Sequence, residues 1–381
     1  MRIALATDSF VEGQGGVSTA VAALARSLRK RNHEVVVYTA ADPSHEQSDL
    51  NVVGLRSLPY ERFPGGRVPI APIAVVRELA NFKPDIIHNH SMSTMGVQAL
   101  AAARLLGIPI LGTCHVFLAG FLQYAPLNLD KIPLTEELAW LYTTTFFNRF
   151  PVITVPSETM KRILVARGLH VRVEVISNGV DTDIYSPKPD GPENDAHSLT
   201  LLHVGRLGYE KRIDIVLQAF ARLKGNYPQI YLLIVGDGPE AEKLKKLATS
   251  LGIAEQVQFV GMVSHDHLPD VYRQADLFIT ASTIETQGLV VLEAMACGLP
   301  VVGVDALALP DLIQSGVNGY LAHPEDDWAL ADATDQLLRS IEQRYTMGRA
   351  SRRLALRHNL SLVSETYDDL YRQVRSRFRA N

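Results

Sequence analysis

Two carboxylates eight positions apart, Glu285 and Glu293, bracket an apolar run from Leu289 to Leu292 in the stretch TIETQGLVVLEAMACGLPVV. Gly288 stands near its start, and Gly298 closes it just before Pro300. A helix beginning at about Gly288 leaves first-turn backbone N–H groups without intrahelical partners, and its dipole favours phosphate there. With a rise of about 1.5 Å per residue, Glu293 falls about 7 Å beyond that anion site. A carboxylate so placed suits the diol of a ribose. Glu285, ahead of the helix on the other side of the phosphates, suits the hydroxyls of a sugar. A plain surface charge is the alternative for Glu293, but Leu292, Ala294 and Met295 around it point to burial, where an unpaired carboxylate is rare.

Other residues of the same chemical kind follow apolar runs. HVGRLGYEKRID places Arg206 and Lys211 five residues apart in a polar turn. An arginine fork and a compact ammonium make a diphosphate clamp there, the alternative being a solvated basic turn. TDSFVEGQGGVSTAV sets Gly13, Gly15 and Gly16 ahead of a helix starting near Val17. Glycines admit a close backbone approach and a helix start favours an anion, although the spacing is not that of a dinucleotide fingerprint. GTCHVF puts His115 directly after a strand, where it is either structural or part of a site. In VGDGPEAEKL, Gly236 and Gly238 lack a third glycine, and a tight turn with Pro239 at the helix start accounts for them. Asp181 and Asp183 form a D-x-D far from the clamp in sequence; metal binding there is rejected as a chance pattern.

These residues need elements to hold them. RIALAT, HEVVVYTA, PDIIHNH, IPILGTCH and VITVPS read as strands, separated by helical stretches at Val17 to Lys30 and Gly96 to Leu106. Buried strands alternating with amphipathic helices imply a doubly wound parallel sheet. A segment rich in Pro, Asp, Gly and Asn, DTDIYSPKPDGPENDAHS, reads as a surface loop between domains. The alternation then restarts with LTLLHVGRL, IYLLIVGDG, VQFVGMV, LFITAS and PVVGVD, giving a second such sheet. A last helix, Ser361 to Phe378, is expected to cross back to the first domain. Two Rossmann-like domains would enclose a cleft at the carboxyl ends of their strands, where open α/β sheets take ligands.

At 381 residues, two domains are the expected organisation. A formal net charge of −4 argues against nucleic acid as the main partner. Cys114 and Cys297 sit in apolar contexts and read as buried free thiols of a reducing compartment. MRIALATDSF lacks the long apolar segment of a secretory leader, and no apolar stretch reaches about 18 residues, so a cytoplasmic location is expected.

ETQGLVVLE, GRLGYEK, SNGVD, the GGV loop and LEAMACGLPVV together resemble, in order, the retaining GT-B glycosyltransferases of family 4, over essentially the whole chain. The resemblance implies sugar transfer from a nucleotide diphosphate sugar with retention of configuration and no essential metal or other cofactor. It implies that Glu293 binds the ribose and Glu285 the donor sugar. Arg206 and Lys211 would hold the diphosphate, with the backbone N–H groups of Gly288 and Leu289 completing its site. Gly16 would approach the donor phosphate, His115 would position the reacting sugar, and the base would lie near Met262 and Val263. His115, Glu285, Arg206 and Lys211 are the catalytic candidates in this scheme. Residues 1–170 with 359–381 would form the acceptor domain, and 171–358 the nucleotide-sugar domain.

The acceptor is open. LPYERFPGGRVPIAPI, with Arg62 and Arg67, and HVFLAGFLQYAPLNL combine apolar and basic character suited to a lipid at a membrane surface, as do Arg26, Arg29, Lys30 and Arg31. A packed loop and an ordinary solvated helix face explain them equally. The Glu-Thr-Gln-Gly form of the motif and RIALATDSF are similar to those of transferases that glycosylate diacylglycerol. A glycolipid synthase using UDP-glucose or a close relative, peripheral on the inner membrane face, is therefore expected. The alternatives are transfer to a soluble or carrier-linked glycan or small alcohol, a non-catalytic sugar-nucleotide-binding protein, and a sugar-nucleotide epimerase.

Overall fold

The computed structural model describes every residue except 9, 11–14, 41–48, 60–66, 70–71, 119–132, 189–197 and 381. The chain divides into two units, Met1–Asn178 with Leu360–Asn381, and Gly179–Asn359. The sequence pattern places these crossings at 170/171 and 358/359, and the observed boundaries lie at 178/179 and 359/360. Just inside the second unit the two crossing segments pair, Val180 N–H donating to the His358 carbonyl at 2.9 Å.

The first unit runs β1 (Arg2–Thr7), α1 (Gly16–Lys30), β2 (Glu34–Ala40), β3 (Asn51–Leu55), β4 (Ser57–Pro59), β5 (Arg67–Pro69), α2 (Pro72–Phe82), β6 (Ile86–Asn89), α3 (Thr94–Leu106), β7 (Ile110–Thr113), α4 (Pro133–Phe147), β8 (Val152–Val155), α5 (Glu158–Ala166) and β9 (Arg172–Val175). Its main sheet is parallel and has the order β3-β2-β1-β6-β7-β8-β9, so the winding direction reverses between β1 and β6. β4 and β5 form a separate antiparallel pair.

The second unit runs β10 (Thr200–Val204), α6 (Ile213–Leu223), β11 (Tyr231–Val235), α7 (Ala241–Ser250), β12 (Val257–Gly261), α8 (Leu268–Gln274), β13 (Leu277–Ile279), α9 (Leu289–Ala296), β14 (Val301–Val304), α10 (Leu309–Leu312), β15 (Gly319–Ala322), α11 (Asp327–Leu338) and α12 (Ile341–Ala355). Its parallel sheet has the order β12-β11-β10-β13-β14-β15. The last helix, α13 (Leu360–Ala380), belongs to the first unit.

The central strands are continuous apolar runs because both of their faces are covered. Leu202, Ile234, Phe278 and Val302 pack with Phe220 and Leu292 from the helices into the core of the second unit. In the first, Ile3, Leu5 and Val37 pack with Leu24 of α1 and with Tyr367, Leu370 and Tyr371 of α13, which is what brings the end of the chain back. The units share one further device. The first strand of each donates its leading amide to the aspartate just ahead of the strand across the switch point: Arg2 to Asp85 at 2.9 Å and Thr200 to Asp276 at 2.8 Å. Each aspartate's own N–H returns a bond to the same residue's carbonyl. The carboxylates thus fix the register where the winding reverses.

Candidate functional site

In the second unit the candidate residues converge because parallel strands place their carboxyl ends on one edge. Arg206 and Lys211 follow β10, Met262 and Val263 follow β12, and Glu285, Gly288 and Leu289 follow β13, which lies beside β10. Glu293 sits in the second turn of α9. Gly16 and His115 belong to the first unit, Gly16 as the first residue of α1 behind Gly15, and His115 two residues beyond β7.

The loop after β10 is held by its neighbour. Leu207 N–H donates to the Asp237 carbonyl at 3.0 Å, and Glu240 N–H donates to the Leu207 carbonyl at 3.0 Å. A Cβ on Gly236 would collide with the Gly205 carbonyl, and one on Gly238 with that of Leu207. The two glycines therefore do more than shape a turn: they let the clamp loop lie backbone-to-backbone on the next strand end. Within that loop Arg206 pairs with the buried Glu210 at 3.6 Å. Glu210, one residue before Lys211, looks like ordinary surface charge in the sequence.

Lys211 Nζ donates to the Glu285 carboxylate in a close, half-buried ion pair. Burial pushes the Glu285 carboxyl up, but the adjacent ammonium outweighs it and holds the pKa below the ordinary value. The buried His203 of β10 lies under this pair and is lowered to about 4 by burial, so it is neutral. The two expected partners of a donor, one for the diphosphate and one for the sugar, are thus in contact with each other.

Gly288 caps α9 with φ +89°, a left-handed conformation that a side chain resists. The first-turn N–H groups of Gly288 and Leu289 lack intrahelical acceptors by helix geometry. Glu293 is 6% exposed. Its Oε2 accepts from the Tyr272 hydroxyl at 2.8 Å, and a second hydrogen bond comes from Tyr185. Desolvation dominates these bonds and raises the Glu293 carboxyl to about 7. Tyr185 also meets His265 Nδ1 at 3.2 Å, two residues past Val263. Neither tyrosine belongs to a motif, so nothing along the chain marks them. Met262 is exposed and Val263 half-buried against the core.

In the first unit His115 is 6% exposed. Its Nε2 lies 2.9 Å from Nδ1 of His90, and burial lowers its pKa to about 4, against an opposing hydrogen bond with Asn178. The ring of His90 lies tilted against that of His88 at 3.9 Å between centroids, and His88 bonds Thr113 at 2.6 Å and Tyr371 of α13 at 2.8 Å. Asp8, just past β1, accepts from Ser91 and from Ser93 at 2.5 Å, and caps α3 through Met95 N–H at 3.2 Å. His90 and Asp8 escaped selection because only the sheet order brings strand ends 83 residues apart together.

The remaining candidates are less concentrated. Asp181 accepts from the N–H groups of Asp183 and Ile184 at 3.1 and 3.3 Å, a turn-forming role. Gly13, Arg62 and most of HVFLAGFLQYAPLNL fall outside the described residues, as does the side chain of Arg67. Arg26 forms a bidentate pair with Asp49, to whose carbonyl Arg29 also donates, so these cations are internally engaged. Cys114 and Cys297 are buried free thiols, both pushed up to about 12 chiefly by burial. Among the described residues, no helix is long and apolar enough to cross a membrane.

Two family models match the chain: one described as Glycosyltransferase Family 4 over residues 14–184, and one described as Glycosyl transferases group 1 over residues 188–354. The chain is 30% identical to alpha-monoglucosyldiacylglycerol synthase of Streptococcus pneumoniae, over 86% of this chain and 77% of that protein. It is 31% identical to sulfoquinovosyl transferase SQD2 of Arabidopsis thaliana, over 86% of this chain and 64% of that one. The crystal structure of Anabaena Alr3699/HepE in complex with UDP and glucose superposes with a TM-score of 0.80 at 22% identity, covering 98% of this chain and 100% of that one.

Proposed function

The chain belongs to the group 1 glycosyltransferases of family 4 and has the GT-B fold, an enzyme that transfers a sugar from a nucleotide sugar; from this premise we propose that it moves glucose from UDP-glucose to diacylglycerol or a close lipid relative, with retention. The observation that carries the donor half is the Lys211–Glu285 pair beside the Gly288 entrance of α9, with buried Glu293 one turn further on. Arg206 and Lys211 take the diphosphate, Glu285 the hexose and Glu293 the ribose. Gly288 and Leu289 supply N–H groups to the phosphates, and Met262 and Val263 border the base. Gly16 and His115 keep the roles that the family resemblance gives them.

Charge develops on the diphosphate as the sugar departs. Two cations and a helix N-terminus stabilise that charge, which is the work a metal does elsewhere. No metal or other cofactor is required in this reading. Retention follows if the acceptor hydroxyl attacks from the face the diphosphate leaves, with a phosphate oxygen taking its proton.

The acceptor half is supported by the 30% identity to a monoglucosyldiacylglycerol synthase. It is also supported by an apolar stripe on α4, where Leu134, Leu138 and Leu141 are more than half exposed at helical spacing. Such a stripe suits shallow contact with a lipid surface at the membrane's inner face. The test is transfer of labelled glucose from UDP-glucose to vesicles holding diacylglycerol, beside a panel of soluble glycans and small alcohols. Labelled glycolipid is expected. Label in a soluble acceptor alone would replace the lipid assignment, donor turnover with no acceptor would point to an epimerase or hydrolase, and donor binding without turnover to a binding protein.

A further inference from the structure

The Tyr272 hydroxyl has one proton and two neighbours that want it. Glu293 Oε2 lies 2.8 Å away and the carbonyl oxygen of Val290 3.2 Å away. If Glu293 is a carboxylate, both neighbours are acceptors and Tyr272 can serve only one of them. If Glu293 is the neutral acid, the chain closes: Glu293 O–H donates to the tyrosine oxygen, and the tyrosine donates to Val290. Tyr272 is fully buried on α8, so no water competes for either bond. We propose that Glu293, buried between two tyrosine hydroxyls with no cation paired to it among the described residues, is the neutral acid in the unliganded protein, and that seating the ribose of a nucleotide sugar on Glu293 expels this proton to solvent.

The proton balance is simple. On binding, the ribose diol donates its hydroxyl protons to the Glu293 oxygens as hydrogen bonds. The carboxyl releases its own proton to water, and the Tyr272 hydroxyl turns from Val290 to Oε2. Nothing is oxidised or reduced.

The surroundings favour the neutral acid at rest. The partners of the carboxyl are tyrosine hydroxyls, Tyr272 from α8 and Tyr185 from the turn at 182–185, and the thiol of Cys297 lies at the far end of α9. All three are kept protonated by burial, with Asp181 a minor influence on Tyr185. The nearby guanidinium groups are directed elsewhere: Arg273 donates to the Ile184 and Ser186 carbonyls, and Arg352 to those of Tyr185 and Ala296. His265 reaches the carboxyl only through Tyr185. Burial among such groups places the Glu293 carboxyl at about 7.

The inference rests on the assignment of Glu293 to the ribose, and calorimetry separates the two. UDP-glucose is titrated into the protein in buffers of different ionisation enthalpy, between pH 6 and 8.5. The donor's own diphosphate does not titrate there, so protons released come from the protein. About half a proton per donor bound is expected near pH 7, more at pH 6 and almost none at pH 8.5. Tyr272→Phe removes a donor from the carboxylate and should move this release curve to higher pH. Glu293→Gln should bind more weakly and release no proton. Absence of release from the wild type, release as large from Glu293→Gln, or an unshifted curve for Tyr272→Phe overturns the proposal. If Glu293→Gln binds UDP-glucose as tightly as the wild type, the ribose assignment fails instead.

Discussion

Lys211 and Glu285 stand 74 positions apart in sequence and meet because β10 and β13 are neighbours. Each neutralises the other, so in the proposed reading an arriving diphosphate would compete with Glu285 for the ammonium. Lys211→Ala should lower kcat about 100-fold, the order seen when a preorganised electrostatic group is removed from an active site, while the melting temperature changes little; steady-state kinetics with circular dichroism would check both. Unchanged kcat would remove Lys211 from the chemistry. Glu293 gives a prediction of the opposite kind. Its folded-state pKa of about 7 lies above the ordinary 4.5, so its contribution to stability is fully present below pH 4.5 and is lost as pH rises through about 7. At pH 8 the folded protein carries a buried carboxylate costing about 3 kcal/mol. Glu293→Gln should therefore raise the melting temperature at pH 8, by about 6–12 °C, and leave it nearly unchanged at pH 4.5. A variant that is less stable than wild type at pH 8 would show that the tyrosine bonds outweigh desolvation.

At the scale of elements, the site is a set of strand ends joined by backbone contact. Gly236 has φ +129°, and the Gly205 carbonyl occupies the space of its missing Cβ. Gly236→Ala should cost about 3 kcal/mol, the range of overpacking against backbone that cannot yield. The displaced loop carries Arg206, so KM for the donor should rise as well. Gly225→Ala, with nothing near its Cβ, is the control and should be silent in both denaturation and kinetics. Equal effects at the two positions would mean that the close approach of the strand ends does not matter. Every central strand is legible in the sequence as a continuous apolar run, and one edge strand, β12, is legible too, in VQFVGMV. β3, β9 and β15 were not foreseen, and all three are sheet edges. RVEV of β9 is only half-buried along its length, and NVVGL and GYLA each include a glycine. An edge strand is covered on fewer sides and so needs a weaker apolar signal.

At the scale of the whole molecule, the two units carry different titratable interiors. His88, His90 and His115 are buried in the first, each with its pKa lowered chiefly by burial. Such groups take up protons only on unfolding, so their stabilising effect is complete above about 6.5 and fades as pH falls below it. In the second unit, His203 acts in the same sense but Glu293 acts against it. Hydrogen exchange at pH 5 compared with pH 7.5, corrected for intrinsic rates, should show β6 and β7 losing more protection than β10 and β13. Greater loss in the second unit would contradict this.

The sequence alone determined the doubly wound architecture, the two-unit organisation, the returning helix and the charged candidates proposed for the donor. Those properties are written locally, in apolar runs, in glycines ahead of helices and in an E-x7-E spacing along one segment. Tertiary structure decided which residues touch: Glu210 on Arg206, Tyr272 and Tyr185 on Glu293, His90 on His115, and Gly236 under Gly205. Each of these pairs joins different strand ends or lies within a folded turn, and periodicity along one segment carries no record of its neighbour across the sheet. The same holds for charge states. Glu285 and Glu293 are the same residue type in one motif, but an ammonium holds the first below its ordinary pKa and desolvation lifts the second above it. That difference is set by what folds around each carboxyl.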